Sequence, residues 1–395
     1  MSIKTGQSAR RPSDRKAQIL VAATRCFHQA GYDATSMEDI AAEVGITAAA
    51  MYRHFRGKQE LLSRVLLDAL DTFAAAVDQA EDLEQLLRAM AGFSLEHRSL
   101  PLLLERETRS LPPEDQRAVL ARQAAHAAAV AVAVRKQRPD LDELGSLIVA
   151  EVVLAILSSP SYHRSAMPRP HFDEVLCAQA SAFCASTVPP SPEQLSAARR
   201  PPVVGMMPAN RREALLAAAI PLFKQRGFQK VNMEEVGASA GMTGTSVYHY
   251  FAGKTEILEA ALQREAEVLH FALVRALSES ATAQEALRRV LGAYATLWGM
   301  RTSATQLLVS EVAQLPEKRQ ERLEQAREGF AAECAVLLRS SRPELSEPEA
   351  QMMVRGALTV VHILSRLPPA LCPRIPAEAL ADLAMDSLAG PLREP

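Results

Sequence analysis

The stretch "GITAAAMYRHFRGKQELL" at residues 45–62 returns as "GMTGTSVYHYFAGKTEIL" at 241–258, 196 positions further along. Over the wider windows 27–62 and 223–258, fourteen of thirty-six positions are identical. These include Phe27 and Phe223, Gly31 and Gly227, Gly45 and Gly241, Tyr52 and Tyr248, and Lys58 and Lys254. A chain with that internal likeness uses one fold twice. The likeness continues as "SLPPEDQRAVL" (110–120) with "QLPEKRQERL" (314–323), "RPDL" (138–141) with "RPEL" (342–345), and "DEVL" (173–176) with "AEAL" (377–380), now offset by 204. The second copy therefore gains eight net residues between about 259 and 311. The period is far too long for a solenoid, so the chain is a pair and not an array.

Between the copies lies the proline-rich "STVPPSPEQLSAARRPPVVGMMPAN" (186–210), which cannot continue a helix and reads as a linker. The expected layout is a first helix-turn-helix domain over 1–66, a first helical body over 67–187, a linker over 188–209, a second helix-turn-helix domain over 210–263 and a second body over 264–395. With 48% apolar residues but only 5% aromatics, and few β-type alternations, the expected class is all-α. Five cysteines without a CxxC pair argue against a disulfide framework or zinc knuckle and fit a reducing cytoplasm. The N-terminus lacks an apolar signal core, and the longest apolar run, "LIVAEVVLAIL" (147–157), is short and holds Glu151, so no membrane association is expected.

The net charge of −2 is unevenly spread. Residues 1–66 carry ten Lys/Arg against six Asp/Glu, and residues 199–264 carry nine against five, so each segment is +4 and the remainder is −10. Two basic modules on an acidic body suit two contacts with a polyanion.

Each basic module has the same local grammar. Leu20, Ala23 and Phe27 mark one face of a helix over 14–30 that stops at Gly31. Ser36 and Asp39 have capping-box spacing ahead of a second helix, Gly45 turns the chain, and Thr47 can cap a third helix reaching about Phe55. Lys58 opens a long fourth helix. The second copy repeats this with Gly227, Asn232 and Glu235, Gly241, Thr243 and Lys254, although Pro221 should kink its first helix. Two short helices about a tight turn form a helix-turn-helix, which presents one helix to a DNA major groove. Met51 and Phe55 then pack inward with Ile40 and Val44, leaving Thr47, Ala48, Ala49, Ala50, Arg53 and His54 for bases and Tyr52 and Lys58 for phosphates. The corresponding set is Thr243, Gly244, Thr245, Ser246, Tyr248, His249, Tyr250 and Lys254. Methyls and Arg53 in the first copy suit thymine and guanine, whereas the second offers hydroxyls, so the expected site on double-stranded DNA is asymmetric. Arg10, Arg11, Arg15 and Lys16, and likewise Arg199, Arg200, Arg211 and Arg212, could form basic arms.

Both "YDATSMEDIAAEVGITAAAMYRHFRGKQELL" and "FQKVNMEEVGASAGMTGTSVYHYFAGKTEIL" resemble the DNA-binding head of the tetracycline-repressor (TetR/AcrR) family, and the duplication resembles its tandem, two-repeat members. The resemblance implies a repressor of transcription whose helical bodies bind a small effector and release the operator. It implies further that the helices after RPDL and RPEL, about 141–159, 172–186, 345–366 and 376–389, pair the two copies as an intramolecular pseudo-dimer. Val149, Val153 and Ile156 align there with Met353, Ala357 and Val360. By the same resemblance the effector site lies among the middle helices, where the second copy supplies Tyr294, Trp298, Met300 and Arg301, the first supplies Phe93, His97, Leu103 and Glu107, and the ligand is largely apolar. No cofactor or metal is expected. His163, His171 and Cys177 are the nearest approach to a metal set, and no GxGxxG, P-loop, GxSxG or HExxH pattern supports an enzyme. The rival reading is a helical interaction scaffold with degenerate heads.

Overall fold

The computed structural model describes residues 12–163, 167–197, 206–300 and 303–389, and no strand occurs among them. In the first copy the helices are α1 (Pro12–Ala30), α2 (Met37–Val44), α3 (Ala48–Met51), α4 (Lys58–Val77), α5 (Leu83–Glu96), α6 (Leu100–Glu107), α7 (Pro113–Gln137), α8 (Glu143–Ser158) and α9 (Arg169–Ser186). After a short α10 (Pro192–Ala197) the second copy repeats them in order. Its helices are α11 (Arg211–Arg226), α12 (Met233–Ser239), α13 (Gly244–Val247), α14 (Lys254–Glu279), α15 (Ala283–Gly299), α16 (Leu307–Ser310), α17 (Glu317–Ser341), α18 (Glu347–Leu364) and α19 (Ala377–Asp386).

Contacts divide the chain into two compact units, residues 1–75 with 97–123 and residues 76–96 with 124–395. This division follows neither the repeat nor the five segments expected from the sequence, because the first body contributes to both units. In the first unit, α1 buries Ile19, Ala22, Ala23 and Phe27. The stripe is thus shifted by one position at its start, and Leu20 is only half-buried. Ile40 from α2, Met51 from α3, Phe55, and Leu61, Leu62 and Leu66 from α4 complete this core. Each such buried side chain contributes roughly 1.5–3 kcal/mol.

In the second unit the head built by α11–α13 has the matching core, with Phe223, Val236, Val247 and Phe251 nearly inaccessible, and that core runs on into Ala304, Leu307 and Leu308. Helix α11 continues through Pro221 as one element. In the rest of the unit α8 packs on α9 and α18, α18 also packs on α9, α17 and α19, and α15 packs on α14, α17 and α19. Val149, Val153, Ile156, Met353, Ala357 and Val360 all have zero exposure. Gln179 donates to the Met353 carbonyl at 3.0 Å, and a Cβ on Gly356 would lie 2.8 Å from the Gln179 Oε1. Thr187 donates to Asp386 at 2.8 Å. By length and composition the window Glu143–Tyr162 could cross a membrane, but 72% of it is buried inside the protein, which accounts for its apolar character.

Candidate nucleic-acid interface and effector cavity

Local chemistry fixes each reading turn. The Ser36 hydroxyl accepts from the Asp39 amide at 3.0 Å, and the Asp39 carboxylate accepts from the Ser36 amide at 2.8 Å, closing the capping box. Donation from the Ser36 hydroxyl, at 2.6 Å, and from the Ser36 amide holds the Asp39 carboxyl below its ordinary range. Asn232 and Glu235 close the same box in the second copy. Gly45 and Gly241 then take φ of 72° and 68°, a left-handed conformation that glycine adopts without a Cβ clash. Thr47 caps α3, its hydroxyl accepting from the Ala50 amide at 3.2 Å.

Thr243 departs from that pattern: its hydroxyl makes no cap and instead meets Ser246 Oγ at 2.7 Å and Thr245 Oγ1 at 3.4 Å. Glycine is required beside it, since a Cβ on Gly244 would come within 2.6 Å of Glu234 Cγ. Both reading helices are a single turn, Ala48–Met51 and Gly244–Val247, shorter than the expected span to about Phe55. Turns carry the chain onward, the Phe55 amide donating to the Met51 carbonyl at 3.0 Å.

The exposed face of the first turn presents Thr47, Ala49, Tyr52 and Arg53, with Ala48, Ala50 and His54 half-buried. The second presents Thr243, Thr245, Tyr248 and His249, with Gly244 and Ser246 half-buried. Tyr52 and Tyr248 stand 52% and 59% exposed, which rules out a core role for either phenol. Tyr250 is half-buried and packs against the head core.

The two lysines placed on phosphates by the sequence reading are used otherwise. Lys58 donates to the carbonyls of Tyr32 and Thr35, each at 2.7 Å, and its ammonium lies 4.3 Å from the Tyr32 ring centre. Lys254 donates to Phe228, Gln229 and Val231 at 2.9, 3.0 and 3.2 Å. Each lysine clamps the loop between the first two head helices, and loss of hydration lowers the affinity of Lys254 for its proton. The described basic residues ahead of the heads are also helical and not extended arms. Arg15 bonds Gln18, Lys16 lies over Phe55, and Arg212 lies over Phe251 at 4.6 Å. Arg10, Arg11, Arg199 and Arg200 lie outside the described residues.

In the second unit the body of the second copy forms most of a cavity of about 1050 Å³ that opens to solvent past Phe271, Val274 and Leu277. Tyr294 and Trp298 line it, as does a set the sequence reading missed: Phe330, Arg355, His362 and, from the first copy, Tyr162. Trp298 stacks on His362 with centroids 4.4 Å apart, Tyr294 stacks on Phe330 at 6.0 Å, and Tyr162 meets His362 edge-on at 4.8 Å. Arg355 is buried and paired with Glu328. The signal that could have found Phe330, Arg355 and His362 is divergence between the copies, because the aligned positions hold His126, Glu151 and Ser158.

Other expected ligand contacts fall elsewhere. Met300 is 45% exposed at the end of α15 and does not line the cavity, and Arg301 lies outside the described residues. Phe93 is core of α5, which packs on α8 and α9. In the first unit Glu107 accepts from the Tyr32 amide at 3.2 Å, with burial pushing its carboxyl upward; Leu103 is core and His97 is exposed. His171 pairs with Glu174 and Glu349, and no group of three or more metal-ligating side chains occurs among the described residues.

A buried polar knot joins the cavity wall to the second head. Glu265 accepts from the Ala304 amide at 2.7 Å and from the Ser303 and Thr305 hydroxyls, each at 3.0 Å, and Thr305 lines the cavity. Lys224 of α11 donates to the Ser303 carbonyl at 2.9 Å, and burial pushes its ammonium down to about 8.

These heads are helix-turn-helix modules of the kind that reads duplex DNA. Residues 19–65 and 215–261 each match the family described as bacterial regulatory proteins, tetR family. It is 38% identical over 80 residues to the transcriptional activator FasR of Mycolicibacterium smegmatis, covering 19% of this chain and 36% of that protein. It is 33% identical over 100 residues to the transcriptional repressor KstR2 of the same species, covering 24% and 49%. The chain thus spans half or less of these curated relatives. Among solved structures, a TetR-family regulator from Bordetella parapertussis aligns at 14% identity and a TM-score of 0.42, covering 46% of this chain and 95% of that one.

Proposed function

We propose that the chain is a sequence-specific transcriptional repressor of the bacterial cytoplasm whose two unlike heads read one asymmetric operator. The packing of α8 and α9 on α18 takes the place of a subunit interface, and an apolar effector held in the second body releases the DNA. The observation that carries this reading is the pair of exposed turns with one architecture and different chemistry. Ala49 and Arg53 occupy the positions that Thr245 and His249 occupy in the second copy. Methyl and guanidinium groups prefer different base edges from hydroxyl and imidazole groups.

Effector release follows from the knot at Glu265. A ligand that moves Thr305 disturbs the hydrogen bonds that hold Lys224, and with it α11 of the second head, in place. Such a ligand shifts the equilibrium only by its differential affinity for the two body shapes.

The test is selection of bound sequences from a random pool by the full chain, followed by binding of the winning site at two salt concentrations. An asymmetric site whose affinity falls steeply with salt is expected. A perfect palindrome as the best site refutes the asymmetric reading. Absence of any sequence preference refutes the regulator and favours the scaffold.

A further inference from the structure

We infer that the chain has one effector site, in the second body, that the first copy completes it through Tyr162, and that its occupant is a ring-bearing molecule without negative charge. This inference rests on the effector reading above and deepens it. The copies differ most where the cavity lies. Tyr294, Phe330, His362 and the rim residue Phe271 align with Ser94, His126, Ser158 and Ala75, so the first copy lacks most of the aromatic lining.

The eight-residue difference has the same bias. Gly92 aligns with Gly292, which divides the gain into four residues before α15 and four after that point. Helix α5 ends at Glu96, whereas α15 runs to Gly299, and Trp298 sits on the added turn.

Three observations set the ligand chemistry. Stacked and edge-on rings favour flat, polarisable molecules. The lining is mostly apolar, with Leu269, Leu273, Val274, Leu308 and Ala331 among it, so a ligand with few polar groups fits it. Both cavity arginines are engaged, Arg355 with Glu328, and Arg327 with Glu324 and the Tyr162 carbonyl at 3.2 Å. Glu267 and Glu333 line the cavity as well and are exposed, which repels anions.

Tyr162 belongs to the short helical turn Ser159–Tyr162 that follows α8, yet its ring meets His362 of α18 and its carbonyl holds Arg327 of α17. A molecule in the cavity therefore touches the end of the helix that packs against α18. Occupancy is sensed by both copies through one site.

Trp298 is the only tryptophan in the sequence, so its emission reports on this cavity alone. The full chain is titrated with uncharged N-phenylnaphthylamine and with its sulfonated analogue, anilinonaphthalene sulfonate. The uncharged probe is expected to quench Trp298 at one equivalent per chain and to bind at least about tenfold more tightly than the sulfonate. Tyr162→Ala is expected to weaken it about tenfold, and Tyr162→Phe to restore it. Should the alanine variant not fold, Tyr162→Leu decides, since it keeps bulk and removes the ring. Probe affinity that is unchanged by loss of the Tyr162 ring, equal binding of both probes, or two equivalents per chain overturns the inference and leaves the effector reading standing. If neither probe binds or alters Trp298 emission, the effector reading fails with it.

Discussion

Replacing Lys254 by methionine separates two roles for a side chain that carries the same charge in either. Methionine keeps the apolar stem near Phe228 and removes the ammonium that bridges the carbonyls of Phe228, Gln229 and Val231. A hydrogen bond to a charged donor is worth roughly 1.5–3 kcal/mol when well buried. Lys254 is only half-buried, and water replaces part of what is lost, so the three bonds together amount to about 2 kcal/mol. The thermal transition of the larger unit that contains this head should then fall by roughly 4–8 °C. Operator affinity should drop only as far as the head loosens, and the slope of log affinity against log salt should stay as it was. A lysine on a phosphate gives the opposite signature: unchanged melting and a slope reduced by about 0.9. That second outcome would refute the clamp. Lys58→Met provides the same test in the first copy, where the bonds to Tyr32 and Thr35 are shorter.

Other outcomes follow from the geometry. Glu151 is buried in α8, and loss of hydration pushes its carboxyl from an ordinary 4.5 to about 7. Its folded value is raised, so the cost of ionising it is absent below pH 4.5, grows between there and pH 7, and reaches about 3 kcal/mol above. Glu151→Gln should therefore stabilise the chain at pH 8 and confer little advantage near pH 4.5; an equal effect at both, by denaturant titration, defeats this account. Gly244→Ala should destabilise the second head by about 1–2 kcal/mol through the Glu234 clash, and a Glu234→Ala background should relieve it in a double-mutant cycle. Tyr248→Ala should leave the melting profile within about 0.5 kcal/mol of the parent, because the phenol is exposed, and should weaken operator binding in a mobility-shift titration.

Much of the fold is legible in the residues because its determinants are local. Ser36 and Asp39, Gly45, Asn232 and Glu235, and Gly241 act within four positions of one another, and each performs the turn or cap that its spacing predicts. The core role of Val149, Val153 and Ile156 is equally plain, since their helix is apolar almost all round and such a helix is buried on nearly every face. What spacing cannot reveal is the partner of a long side chain. Lys58 reaches back 26 positions to Tyr32, and nothing in "FRGKQELL" separates a clamp from a phosphate contact. The cavity is harder still: Trp298 and Tyr294 stand out locally, while Phe330, His362 and Tyr162 come from distant segments that meet only after α17 and α18 have packed.

The fit of Gln179 against Gly356 makes the two copies unable to substitute for one another. Gln179 lies in α9, and the glycine that admits it belongs to the other copy, whose counterpart in α8 is Val152. Two first copies brought together would drive an amide into an isopropyl group, and two second copies would set Leu383, which has no donor for the Met353 carbonyl, in the place of Gln179. Severing the linker would thus not restore a pair of interchangeable subunits, and the ancestral duplication has become irreversible at the level of packing.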